Sequence, residues 1–125
     1  MEKLSKAQKR YFKTLVALAW ERELNVTLEV LLQRFQEWKA GTLDAFELEQ
    51  EIHRFHEGPA REAWKRYSVA PGQTDIAVAT AVTRGILEIE EVESPFRSRI
   101  EPYLRFATSE EYCRSNVRSS HSFES

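Results

Sequence analysis

The residues in this 125-residue chain with the clearest chemical potential are a glutamate and two histidines, Glu49, His53 and His56. Spacings of four and three residues place their side chains on one side of an α-helix. Two imidazoles and a carboxylate can ligate a divalent metal, and a histidine oriented by a carboxylate can act as a general base. Histidine pairs at this spacing also arise by chance, and a metal site needs a further ligand. We expect these residues to border an amphipathic helix and to bind a partner, and a metal- or histidine-dependent enzyme centred on them is an alternative.

A second candidate group follows in the run REAWKRY, which begins at Arg61 and contains Trp64. Tryptophan, tyrosine and arginine dominate binding hot spots, so Arg61 and Trp64 are candidate binding residues. Helices also bury such long side chains. Because Trp64 and Tyr67 share the inner side of the helix expected here, we predict that both pack in the core.

The N-terminal segment carries four basic residues that are candidate nucleic-acid contacts, namely Lys6, Lys9, Arg10 and Lys13. Aromatic residues alternate with them, as in some nucleic-acid-binding patches. A run of charge is more often one solvated side of a helix. An acidic segment at 88–93 balances it, and two patches of opposite charge suit self-association or docking at least as well as DNA binding.

Composition excludes several classes of protein. The net charge of −2 provides no general attraction to nucleic acid or to acidic membranes. The single cysteine, Cys113, rules out an internal disulfide framework and Cys-based zinc sites. No secretory signal, membrane-spanning run, P-loop or dinucleotide-binding glycine motif is present. We therefore expect a cytoplasmic protein with no membrane association and no cofactor.

The first 40 residues contain neither glycine nor proline and are predicted to be helical, with Ser5 as N-cap and Gly41 closing the helix. Apolar residues of 11–19 share one side of this helix, and those of 24–38 share a nearly opposite side. Either the chain breaks near 25–27 into two helices, or one helix of ~50 Å buries opposite sides against different partners.

The next helix has a stronger start signal, because Asp44 and Glu47 form a capping-box pattern. This helix is predicted from Ala45 to Glu57, with Leu48, Ile52 and Phe55 inside. Gly58-Pro59 is expected to interrupt it, and a short helix from Pro59 to Tyr67 to follow.

Residues 75–92 have two interpretations. A buried central helix capped by Thr74, followed after Gly85 by a short acidic helix, fits the apolar run. A hairpin turning at Arg84-Gly85 is the alternative, although Arg-Gly is a poor hairpin turn. The whole pattern predicts an all-α fold, a compact bundle of five to six helices in a domain at 1–106, with a flexible polar tail at 107–125.

These features favour a non-enzymatic function. We expect a small cytoplasmic protein–protein interaction module, a subunit or regulator of a complex such as a toxin–antitoxin or defence assembly. Its partner would be another protein or a second copy of itself. A helical nucleic-acid binder using the basic N-terminus is an alternative, as is the enzyme centred on Glu49, His53 and His56.

Overall fold

The computed structural model describes residues 3–104, and every regular element among them is helical. The elements are α1 (Lys6–Ala40), α2 (Ala45–Phe55), a π-helical turn (His56–Ala60), α3 (Arg61–Tyr67) and α4 (Thr74–Thr83), with short 3₁₀ turns at Pro71–Gln73 and Ile89–Glu91. Residues 94–104 are also helical up to the limit of the described chain. The all-α prediction is confirmed. The predicted tail at 107–125 lies outside the described residues.

Within residues 3–104 four α-helices have both ends described, fewer than the five to six predicted, and the helix at 94–104 runs to the limit of the described chain. One reason is that α1 does not break near 25–27. At Gly58-Pro59 a π turn joins α2 to α3, so the expected interruption is absent, although the two helices are counted separately. Another is that the acidic segment after Gly85 forms only one 3₁₀ turn. Glu88 and Glu91, and Glu90 and Glu93, would stand three residues apart on an α-helix, where like charges repel.

Helix α1 is continuous over 35 residues, which decides between one helix and two in this segment. At its start the Ser5 hydroxyl accepts a hydrogen bond from the Gln8 N–H (3.1 Å), and the Gln8 side chain accepts one from the Ser5 N–H (2.8 Å). At its end Gly41 adopts φ +87°, and the Thr42 N–H donates to the Glu37 carbonyl at 2.9 Å. This is a Schellman cap, which needs a residue that tolerates positive φ.

The described residues fall into two compact units. The first unit combines the start of α1 with the later part of the chain (3–16 and 70–104 of the described residues), and the second unit is Ala17–Val69. We predicted one helical domain over 1–106, and α1 contributes residues to both units.

The first unit has a closed apolar core. Helix α4 is apolar on almost every side, as predicted for the helical alternative at 75–92, and Val78 is fully buried. Thr74 is the first residue of α4 rather than its cap, and its hydroxyl donates to the Pro71 carbonyl at 3.0 Å. The core residues are Leu4, Phe12, Leu15, Val16, Ala77, Val78, Ala79, Ala81, Leu87, Val92 and Ile100. Within this unit the buried carboxylate of Asp75 pairs with Arg99 (Oδ2 to Nε, 3.3 Å).

The second unit is a helical hairpin formed by the later part of α1 and the α2–π–α3 stretch. The turn between them ends in the predicted capping box, with the Glu47 N–H donating to Asp44 Oδ1 (2.8 Å) and the Asp44 N–H to Glu47 Oε1 (3.1 Å). An ion pair between Arg66 and Glu23, both largely buried, ties α3 to α1. Few hydrophobic side chains are buried here, namely Ala19, Leu48, Ala63 and Tyr67.

Candidate functional site

The π turn at His56–Ala60 sets the orientation of the predicted site residues. Pro59 has no N–H and cannot donate to an α-helical ladder, so a wider turn lets the helix pass it. Such a turn holds about one extra residue, which rotates everything after it by roughly 100° relative to a regular α-helix. π turns of this kind occur often at functional sites.

This rotation explains which aromatic residue is buried. Tyr67 and Ala63 turn onto the side already occupied by Leu48, and all three are buried. Trp64 lies about 60° to one side of Leu48 and is 55% exposed. The prediction that Tyr67 packs in the core is therefore confirmed, whereas the same prediction for Trp64 is wrong.

Ile52 is a second correction on this stretch. Its side chain is 39% exposed although its spacing from Leu48 predicted an inner position. Two helices contact each other along a narrow seam, so a side chain that points to one side of the seam centre stays in contact with solvent. Of the residues of α2, only Leu48 is close enough to that centre to be buried.

Three of the predicted binding residues line one groove. His56, Arg61 and Trp64 border a depression of about 430 Å³ in the second unit, and Trp20 and Leu24 of α1 complete its apolar wall. Arg61 pairs with Glu57 at 3.5 Å (Nη1 to Oε2), so the rim carries both signs of charge. We call this depression the tryptophan groove; its remaining lining residue is Ala60.

The other two predicted residues lie outside this groove. Glu49 and His53 are exposed on α2 and do not line it. Over the described residues, no three His, Cys, Asp or Glu side chains come together as a ligand set for a metal ion. The hypothesis of a metal centre at Glu49, His53 and His56 therefore has no preformed cluster to support it.

Sequence reasoning missed Trp20 and Leu24 as site residues. Both are far from His56 along the chain, so their contribution depends on the hairpin bringing α1 beside α3. One signal was present, because the apolar pattern of α1 changes direction just after Trp20. Trp20 lies between the two runs and Leu24 begins the second, so both are candidates for a second surface.

Helix α1 also carries an exposed apolar stripe. Leu28 and Leu32 are 44% and 50% exposed, and Phe35 and Trp38 are exposed to a similar degree. A shallow depression of about 570 Å³ lies along the end of this row, with Lys39 at its border. We define the apolar stripe as Leu24, Leu28, Leu31, Leu32, Phe35 and Trp38, whose spacings of three and four residues place them along one side of the helix.

A smaller groove of about 200 Å³ has apolar and charged walls. Val30, Phe55 and Pro59 are among its lining residues, together with Arg34, Glu51 and Arg54. Arg54 pairs with Glu51 at 2.7 Å. The hydrogen bond and the negative charge of Glu37 raise the pKa of the Arg34 guanidinium.

The basic N-terminal residues are placed differently from the aromatic residues between them. Lys6, Arg10 and Lys13 are exposed and Lys9 is half-buried. Phe12 is fully buried, and the Tyr11 ring stacks on Phe96 at a centroid distance of 4.1 Å. The Tyr11 hydroxyl also accepts a hydrogen bond from the Glu93 N–H at 2.7 Å. Both aromatic rings therefore serve the first unit and are not free to stack on bases.

None of the helices described here is both long enough and apolar enough to cross a bilayer. The chain matches no protein-family model, no curated protein and no solved structure.

Proposed function

We propose that this chain is a non-enzymatic protein–protein interaction module, a subunit or regulator of a complex that docks through its second unit. One observation carries the proposal. Of the ten large hydrophobic side chains exposed in the described part of the chain, nine belong to Ala17–Val69. They are Val26, Leu28, Val30, Leu32, Phe35, Trp38, Phe46, Ile52 and Trp64; the tenth is Ile76. Val26 points away from the apolar stripe and is not part of the proposed docking surface.

The exposed hydrophobic residues indicate a binding surface because several of them are clustered. Single exposed hydrophobic residues are normal on any protein surface, but a contiguous apolar patch marks an interaction site. The apolar stripe and the tryptophan groove share Leu24, so they form one continuous apolar surface on the second unit.

The residue types in the groove also support docking. Trp64 combines a large apolar ring with an indole N–H, and Arg61 beside it can donate several hydrogen bonds. Residues of these two types contribute most of the binding energy at many interfaces. The groove has an apolar wall and a charged rim, which is the usual layout of a protein interface.

A pull-down from the native host with mass spectrometry tests this function. The bait is the full chain as wild type, as Leu28→Asp and as Val26→Asp. We expect Leu28→Asp to lose specific partners, because it places a charge in the apolar stripe. Val26→Asp is the matched control, since Val26 is 66% exposed on the same helix but points away from the stripe.

Circular dichroism of the three proteins shows whether each is folded. Trp64→Ala provides a second variant in the tryptophan groove, and we expect it to weaken the same associations. Equal partner sets for wild type, Leu28→Asp and Trp64→Ala would refute docking through this surface.

A second candidate function is nucleic-acid binding by the start of α1. The observation in its favour is that Lys6, Arg10 and Lys13 are exposed at spacings of four and three, which forms one cationic row. A gel shift that weakens with salt and disappears when these three residues are replaced by glutamine would support it. No shift at low salt would refute it.

A further inference from the structure

We propose that the occupant of the apolar stripe is a second copy of this chain, with the two α1 helices packed antiparallel about a two-fold axis that crosses the helix at the level of residue 30. This inference rests on the proposed function and names the partner. It follows from four residues that stand almost in line on α1, namely Glu21, Leu28, Leu32 and Lys39.

The alignment of these residues follows from helix geometry. Glu21 and Lys39 are eighteen residues apart, which is five turns of an α-helix, so they have the same angular position. Leu28 and Leu32 lie between them, about 20° to either side of that line. Both leucines are about half exposed, and Lys39 borders the depression that includes Leu32.

The line is symmetric about its centre. Val30 is midway between Leu28 and Leu32, and also midway between Glu21 and Lys39. A two-fold axis perpendicular to the helix at this level places Leu28 against Leu32 of the second copy. In an isologous interface each such contact occurs twice.

The charges at the two ends are complementary under the same operation. Glu21 of one copy meets Lys39 of the other, and the reverse pair forms at the opposite end. A parallel arrangement would instead place Glu21 against Glu21 and Lys39 against Lys39, where like charges repel. Charge complementarity therefore selects the antiparallel dimer.

The area of this interface determines the affinity that we expect for the dimer. The line from Glu21 to Lys39 is ~27 Å long at 1.5 Å per residue, and a hairpin of two helices is ~20 Å wide. Such a surface covers roughly 500 Å² on each copy, near the lower limit of specific interfaces. We therefore expect a reversible dimer that dissociates on dilution.

Zero-length carbodiimide cross-linking tests the arrangement. This reagent joins a carboxylate to an amine only when the two are in contact. Within one helix Glu21 and Lys39 are ~27 Å apart, so a link between them can form only between copies. In a mixture of ¹⁴N- and ¹⁵N-labelled full chain, we expect a mixed-label Glu21–Lys39 cross-link by mass spectrometry. A dimer that lacks this link would refute the antiparallel register.

Charge reversal provides an independent test by sedimentation equilibrium over ~1 μM to ~1 mM, a range that covers weak interfaces. Glu21→Lys and Lys39→Glu should each weaken dimerisation by about threefold to tenfold, because two surface ion pairs become repulsive. The double variant restores both pairs and should recover most of the wild-type affinity. Equal affinities for the wild type and the single variants would refute the pairing.

Leu28→Asp and Val26→Asp separate this proposal from the proposed function. We expect Leu28→Asp to abolish the dimer and Val26→Asp to leave it unchanged. A wild-type chain that stays monomeric at every concentration refutes self-association. If Leu28→Asp still loses partners in that case and Val26→Asp keeps them, the docking function stands with another protein as occupant. If the wild-type chain is monomeric and neither variant changes the partner set, both proposals fail.

Discussion

Phe12 in the first unit and Phe46 in the second are the same residue type on helices, yet Phe12 is fully buried and Phe46 is 78% exposed. The contrast extends to the two units as a whole. In the first unit, side chains from α1, α4 and 94–104 enclose a common core. In the second unit, a hairpin of two helices has a single seam, so most of its large apolar residues remain outside.

Geometry accounts for this difference. A helix in a bundle can bury a wide apolar side because several neighbours surround it, whereas a helix in a hairpin has one neighbour. The second unit nevertheless carries apolar residues on more than one side of α1. Its caps and its Arg66–Glu23 ion pair hold the hairpin together, and the apolar surface that remains is suited to binding.

The largest expected difference between the two units is in the free energy of unfolding of variants at the two phenylalanines. Phe12→Ala should lower the free energy of unfolding by about 3–5 kcal/mol, because it removes a fully buried ring. Phe46→Ala should change it by less than about 0.5 kcal/mol. Urea unfolding followed by circular dichroism measures both. Similar losses for the two variants would show that the surface of the second unit is already buried in the isolated protein.

A smaller effect is expected from the ion pairs of the second unit. Arg66→Ala should lower the free energy of unfolding by about 1–3 kcal/mol, because it leaves the largely buried Glu23 without this partner. Arg54→Ala breaks the more exposed pair with Glu51 and should cost about 0–1 kcal/mol. The urea unfolding midpoints of the two variants measure which ion pair contributes more to stability. If Arg54→Ala were the more harmful, the hairpin would not depend on its buried pair.

The smallest effects come from two glycines of the same unit. Gly41→Ala should destabilise the protein by about 1 kcal/mol, because alanine is strained at φ +87°. Gly58→Ala should stabilise it by about 0.5 kcal/mol, since φ is ordinary there and the added methyl meets no neighbour within 4 Å. Thermal unfolding midpoints should move in opposite directions, and a shift of the same sign for both would contradict the assigned backbone conformations.

Several features of the fold could be predicted from sequence because their causes are local. Ser5, Asp44 and Gly41 each act through backbone groups within a few residues, and these three predicted caps are present, whereas the predicted cap Thr74 is the first residue of α4. The all-α class follows from apolar residues repeating at helical spacing. The helical alternative at 75–92 also holds over Thr74–Thr83, where alanine is frequent.

The incorrect predictions involve causes that are not local. Proline and glycine at 58–59 suggested a break, but a π turn joins α2 to α3 and keeps one helical path, with Leu48, Ala63 and Tyr67 buried along it. With the extra residue, Tyr67 returns to the angular position of Leu48, and Trp64 lies about 60° to one side of it. A pattern with a constant 3.6-residue period cannot anticipate a shift of one residue.

The candidate site shows the same division. The sequence by itself determined that His56, Arg61 and Trp64 would lie near one another, since they are within nine residues on helical structure. It also determined the order of charge and apolar residues from Glu21 to Lys39. Only the tertiary structure decided that Trp20 and Leu24 face Trp64, and that Leu28, Leu32 and Phe35 stay exposed. Exposure depends on which neighbours cover a helix, and no short-range pattern records whether a hairpin has one neighbour or several.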